Sequence, residues 1–175
     1  MKILIESSTS YRGRNSRPNW LKLAAFIGAA LAAGALGAGF SPGFSAGANH
    51  WYAALAKPGW APPTQWFAPV WCLLYVGMGT AAWLISRERY HRGRTIALTA
   101  YGVQLLLNAA WAPLFFGARN IGAGLFVIIA LWLAIAWTLR EFAVVRPVAA
   151  WLLVPYLAWV SFAGALNLSL WKINP

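Results

Sequence analysis

Five separate stretches of this chain are long enough and apolar enough to cross a lipid bilayer, and that pattern leaves few folds open. Leu21–Phe40 supplies 20 residues with Lys22 as its one charge, at the edge; Trp66–Ser86 supplies 21, Thr95–Phe116 22, Ile121–Leu139 19 and Val148–Trp171 24, all uncharged. A spanning helix needs about 20 apolar residues. Inside lipid the backbone has no water to bond, so each stretch is expected to be helical. The expected fold class is therefore all-α: a membrane protein built as a five-transmembrane-helix bundle. Composition agrees, since 61% of the 175 residues are hydrophobic and 10% charged, whereas soluble domains carry about 25% charged residues.

The domain reading follows. Residues 1–19, rich in Ser, Arg and Asn, read as a polar basic N-terminal tail, disordered or lying on the membrane surface, and 20–175 as one transmembrane domain. No repeat or linker divides the chain. The first span has a second reading, a secretory signal with Ala46-Gly47-Ala48 as its cleavage site; its length and the residues ahead of it speak against that.

The net charge of +11 invites a nucleic-acid interpretation, so its location matters. The N-terminus and the second and fourth connections fall on one side of the membrane. They carry Lys2, Arg12, Arg14, Arg17, Lys22, Arg87, Arg89, Arg92, Arg94, Arg140 and Arg146, which is 11 of the 14 basic residues. Lys57, Arg119 and Lys172 fall on the other. The positive-inside rule places the N-terminus in the cytoplasm, with the first connection and the C-terminus outside. The charge is thus a topology signal and a lipid-headgroup contact, and no nucleic-acid partner is expected. The pattern suits a multi-pass protein of a bacterial cell membrane.

The interior of the spans excludes several functions. It holds no Asp, Glu, Arg or His, the groups that ion-coupled pumps bury. His50 and His91 lie in connections, so a haem at membrane depth has no axial histidine. No residues have metal-ligand spacing, and neither a metal nor a resident cofactor is expected. Cys72 is the single cysteine and closes no intrachain disulfide.

What the interior does hold is aromatic rings and a few amides. Gln104, Asn108, Trp111 and Phe115 share one face of the third span; Trp71, Tyr75 and Met78 share a face of the second; Tyr156, Trp159, Ala163, Leu166 and Asn167 form a band on the fifth. At 1.5 Å of rise per residue, Trp71, Asn108 and Trp159 lie roughly 8, 12 and 18 Å from the outer ends of their spans. Trp20, Trp66, Trp151 and Trp171 fit interfacial anchors, but Trp159 is too deep for that. Flat apolar walls with one or two amides describe a pocket for a large, flat, mostly apolar molecule. The amides have an alternative use, bonding a neighbouring helix.

The first connection, Ser41–Gln65, is 25 residues long and contains Trp51, Tyr52, Trp60 and four prolines. It reads either as an ordered lid over that pocket or as a re-entrant packing loop.

Three motifs recur together in one family. The first connection reads Trp51-Tyr52-x-x-Leu55-x-Lys57-Pro58-x-Trp60-x-Pro62-Pro63. The third span ends Gln104-x-x-Leu107-Asn108-x-x-Trp111-x-Pro113-x-Phe115-Phe116-Gly117-Ala118-Arg119. The fifth holds Pro155-Tyr156-Leu157-Ala158-Trp159, then Leu166-Asn167 and Trp171. Over about residues 20–174 the chain resembles the translocator protein family, also called tryptophan-rich sensory protein, TspO or peripheral-type benzodiazepine receptor. The resemblance implies a five-helix bundle, a homodimer, and a pocket for porphyrins, sterols and drug-like ligands beneath the first connection. It implies that Tyr52 and Pro62 cover the ligand, and that Trp71, Tyr75, Asn108, Trp111, Trp159, Ala163 and Leu166 line the site. Trp71 and Trp159 match tryptophans tied to tetrapyrrole handling, and Asn108 an amide that bonds ligands. The chain departs from the pattern at Leu168, where relatives proposed to bind cholesterol carry Tyr; this disfavours sterol or lipid as the ligand.

The expected function is a membrane receptor or sensor that binds a porphyrin or another flat apolar ligand. Two alternatives stay open: light-dependent porphyrin degradation with Trp159 and Trp71 as photochemical groups, and porphyrin or sterol transport. On the first span Ala30 with Gly34, Ala33 with Gly37 and Ala35 with Gly39 permit close helix contact, within the monomer or across a dimer.

Overall fold

A computed structural model describes residues 20–42 and 44–174; the N-terminal tail expected over 1–19 lies outside them. Five spans cross the bundle. They are α1 (Trp20–Ala38), α3 (Phe67–Arg87), α4 (Arg94–Ala112), α5 (Ile121–Val145), and α7 (Val154–Ile173) preceded by the short α6 (Pro147–Trp151). The first connection contributes α2 (Ala46–Ala54). No strand occurs among the described residues.

Span ends depart from the expected ones where charge and helix formation part company. The uncharged run of the fourth span ends at Leu139, yet α5 continues through Arg140 and Glu141 to Val145. Charge bars a residue from lipid, not from a helix, and these residues are good helix formers. What stops α5 is Pro147: Arg146 ahead of it is extended, at φ −159° and ψ 101°. The fifth span is not one helix, because a turn at Leu152 and Leu153 separates α6 from α7. Pro155 explains it, having no N–H to give the Trp151 carbonyl and a ring that clashes with it. Pro113 acts similarly at the end of α4, where Pro113–Gly117 winds as a π-turn and Ala118 N–H donates to the Pro113 carbonyl at 2.8 Å.

The helices do not pack in chain order. α1 lies against both α3 and α4, α4 against α5, and α5 against α7, while α3 meets α7 at few points. Two of the small-residue pairs on α1 are spent inside the monomer. Ala30 and Gly37 are buried, Gly34 lies against the Tyr75 ring, and Gly37 against Ala112. A close backbone approach is at Gly79 of α3, which sits directly on the α1 backbone at Ile27.

The core forms two clusters. The larger joins Met78, Ala82 and Ile85 of α3 to Tyr101 of α4, Leu131 and Ile135 of α5, and Tyr156 of α7. The smaller, at the end of the bundle that carries the first connection, joins Tyr52, Phe115, Leu166 and Leu170. At the opposite, basic end, Arg146 pairs with Glu88 at 2.7 Å, tying the end of α3 to the α5–α6 junction.

Candidate functional site

Between the two clusters lies a cavity of about 580 Å³, within the range of roughly 300–1,000 Å³ typical of small-molecule sites. All five spans contribute to its wall, α1 with Gly34 and Gly37, α3 with Trp71 and Tyr75, α4 with Asn108 and Trp111, α5 with Ile128 and Leu131, and α7 with Trp159, Ala163 and Leu166. Trp71, Asn108 and Trp159, which residue counting places at successively greater depth, all reach it.

The rings are fixed by one another. Trp71 stacks on Tyr75 at 5.5 Å between centroids and meets Tyr156 edge-on at 6.1 Å. Trp111 stacks on Phe115 at 4.9 Å. Trp159 stands edge-on to Phe67 at 5.8 Å, at the seam between α3 and α7. Such pairs add about 0.5–1.5 kcal/mol each beyond burial and hold the wall in shape before any guest arrives. The Trp159 indole nitrogen is enclosed and has no hydrogen-bond partner among the described residues.

The amides serve the bundle as well. Tyr75 Oη–H donates to Asn108 Oδ1 at 2.7 Å, Asn108 Nδ2 donates to Tyr156 Oη at 3.0 Å, and Tyr156 Oη–H donates to Gln104 Oε1 at 3.0 Å. This relay couples α3, α4 and α7. Trp111 Nε1 donates to Asn167 Oδ1 at 3.4 Å, and Asn167 Nδ2 donates to the Ile121 carbonyl at 2.9 Å. Interhelical bonding, the alternative use read from the sequence, is what the structure shows for Gln104. Asn108 has both uses open, because a carboxamide offers two N–H groups and two acceptor sites and the relay takes one of each. Interhelical bonds in membranes average about 0.6 and reach about 1.7 kcal/mol, so Asn108→Leu, which breaks two, should cost about 1–3 kcal/mol. Thermal unfolding in detergent measures it; an unchanged melting temperature would show that the relay contributes nothing to stability.

The first connection folds as a cover. Ser45 caps α2, its side chain accepting from Ala48 N–H at 3.4 Å. Trp51 then packs on Phe115 at 5.5 Å and Tyr52 on Phe116 at 5.6 Å. The helix was not legible in the sequence, because its nine residues combine Gly, Asn and His with no apolar stripe. Tyr52 lines the cavity, and burial pushes its phenol above the ordinary value, so it stays neutral at physiological pH. Lys57 Nζ stands 4.7 Å above the Tyr52 ring and donates to the Ala53 and Leu55 carbonyls, each at 3.2 Å, at the end of α2.

One expected site residue is placed elsewhere. Pro62 does not line the cavity; its stretch of the connection reaches the wall through Thr64 instead. Gly34, Ala112, Val160 and Leu170 line the wall without having been singled out. Small and aliphatic residues carry no chemical signal, and only their neighbours make them part of a site. Leu168 is outside the wall, partly exposed on α7.

Among the described residues, no three His, Cys, Asp or Glu side chains come together to hold a metal ion, and the cavity wall contains no carboxylate, histidine, lysine or arginine. The arrangement can enclose and orient a flat guest.

Comparison with known proteins meets this geometry. A sequence model of the TspO/MBR family matches residues 26–172. The "Tryptophan-rich protein TspO" of Chlorobaculum tepidum is 40% identical over 156 residues, covering 89% of this chain and 97% of that protein. The "Translocator protein" of Sus scrofa is 43% identical over 127 residues, 71% of this chain and 75% of its own length. "Protein CrtK" of Rhodobacter capsulatus is 37% identical over 153 residues, 87% of this chain and 92% of its own. With five helices that can span a bilayer and a match that runs through all of them, this chain is a multi-pass membrane protein and belongs to the TspO/MBR family.

Proposed function

We propose that the chain is a membrane receptor or sensor that holds a porphyrin, or another flat apolar ligand, in the cavity beneath α2. One observation carries this reading: the rings of Trp71, Trp111 and Trp159, from three different helices, surround a single cavity of about 580 Å³. A tetrapyrrole offers a broad π-face to such walls. An acceptor on the guest that reaches the unpartnered Trp159 Nε1, or the free N–H of Asn108, gains a bond the protein does not already make. A guest's carboxylates would point out of the bilayer, where water and the third N–H of Lys57 are available.

The absence of charged side chains from the described cavity wall favours holding a ligand over acid–base chemistry on it. For sterols, Leu168 offers neither the hydroxyl nor the position in the wall, so they are not proposed. Orientation follows from charge: the end bearing 11 of the 14 basic residues faces the cytoplasm of a bacterial cell, and α2 and the C-terminus face outward. A homodimer belongs to the same proposal; Ala35 and Gly39, though exposed, line the cavity and are not left over for it.

The test replaces both deep indoles. Trp71→Phe with Trp159→Phe should weaken protoporphyrin binding about tenfold, if the two contacts together carry about 1.4 kcal/mol. Titration in detergent, followed by porphyrin absorbance, reads it. Equal affinity in the double variant would overturn the reading.

A further inference from the structure

The stretch that follows α2 is tied to the bundle by a residue more than a hundred positions away. The Asn174 carboxamide takes both backbone groups of Ala56: Oδ1 accepts from Ala56 N–H at 2.9 Å, and Nδ2 donates to the Ala56 carbonyl at 3.0 Å. One side chain thus copies the two-bond pairing of neighbouring strands. The amide is itself fixed, because Nδ2 also donates to the Leu170 carbonyl at 2.9 Å and the Asn174 backbone N–H donates to the same oxygen at 3.0 Å. The clamp therefore stands on the last turn of α7, and Leu170 in that turn lines the cavity.

The rest of the cover is differently held. α2 makes ring contacts with Phe115 and Phe116, and Lys57 bonds back to the end of α2 at the Ala53 and Leu55 carbonyls. Trp60 adds a ring contact with Phe162 at 5.7 Å. Among the described residues, the Asn174 pair is the hydrogen-bonded tie between residues 55–62 and the spans. Ring contacts let a segment slide; two opposed hydrogen bonds to one peptide fix its register.

We infer that Asn174 is a positioning residue of the cavity: by clamping Ala56 it holds the cover shut and sets how fast a guest comes and goes. This rests on the reading of the cavity as a ligand site. A clamp of this kind acts on the barrier rather than on the bound state. Its loss should raise association and dissociation rates together and leave affinity within about threefold, as opening a covered route speeds both directions.

The experiment compares the full chain with Asn174→Ala and Asn174→Asp in lipid nanodiscs. Hydrogen exchange of the peptide covering residues 46–63 should speed about tenfold in Asn174→Ala. It should speed less in Asn174→Asp, which keeps the bond from Ala56 N–H and gives up the one to the carbonyl. Asn120→Ala is the control: it removes the amide that accepts from Ala123 N–H at 2.8 Å to cap α5, leaves the Asn174–Ala56 bonds in place, and should leave that exchange unchanged. Stopped-flow quenching with protoporphyrin should then show both rate constants raised several-fold in Asn174→Ala. Unchanged exchange in Asn174→Ala, or faster exchange with unchanged porphyrin kinetics, would overturn the positioning role. If the unsubstituted chain fails to bind protoporphyrin, the ligand reading fails by itself, and the exchange comparison alone decides whether the clamp holds the cover.

Discussion

Leucine at position 79 should leave little of the chain in its folded, monodisperse form. A Cβ on Gly79 would lie 2.5 Å from Ile27 Cα, 2.8 Å from Ile27 N and 2.9 Å from the Phe26 carbonyl oxygen. All three are backbone atoms of α1, which cannot rotate aside as a side chain can, so the two helices must separate. Helices in lipid associate through close packing, because the surrounding tails are as apolar as the side chains. Prising α1 from α3 therefore removes much of what holds α1 in place, and it opens the cavity wall at Gly34 and Tyr75. Overpacking typically costs about 1–3 kcal/mol where side chains can adjust. With rigid backbone as the obstacle, the expected loss is more than about 3 kcal/mol. Size-exclusion recovery and thermal unfolding in detergent measure it. Gly28→Leu, on the facing helix α1 and with nothing within 4 Å of its Cβ, should behave like the parent chain. Equal melting temperatures for the two variants would show that the close approach does not matter.

Tryptophan in place of Ala163 should abolish most ligand binding while sparing the fold. Ala163 lines the cavity one turn from Trp159 on α7, and its methyl group leaves room that an indole would occupy. Filling an apolar void with an apolar ring adds contacts rather than strain, so the melting temperature should hold within a few degrees. A ligand that needs the same volume is excluded. Protoporphyrin affinity should fall about a hundredfold, equivalent to about 2.7 kcal/mol. Ala158→Trp, exposed on the outer face of the same helix, is the matched control. Undiminished affinity in Ala163→Trp would place the guest outside this cavity.

These two positions mark the limits of what the sequence discloses. The five spans were legible because lipid imposes one unambiguous demand, a long run without charge. The deep rings were legible because helical spacing places Trp71 with Tyr75, and Asn108 with Trp111, on single faces at a countable depth. Gly79 was not, since a glycine in a span is unremarkable until its neighbour is known, and α1 between α3 and α4 is not the order of the chain. Asn174 was equally silent: an amide beyond the last span reads as a helix end, and its partner at Ala56 is a backbone. The relay through Tyr156 depended on the same unknown, namely which faces of α3, α4 and α7 converge. Pro62 misled in the opposite sense. A motif fixes a residue's place in the chain, but which residues of that stretch line the cavity depends on the fold, and there Thr64 is in the wall and Pro62 is not.

The order of manufacture adds a consequence to the way the cover is supported. Residues 46–66 leave the ribosome before the aromatic shelf of Phe115 and Phe116 exists, and long before Asn174. Through the first half of synthesis this segment has nothing beneath it, and the bonds that fix Ala56 form only when the last span has threaded into place. A nascent chain stalled after its fourth span would have most of the walls of a binding site and a cover seated on Phe115 and Phe116 with its clamp missing.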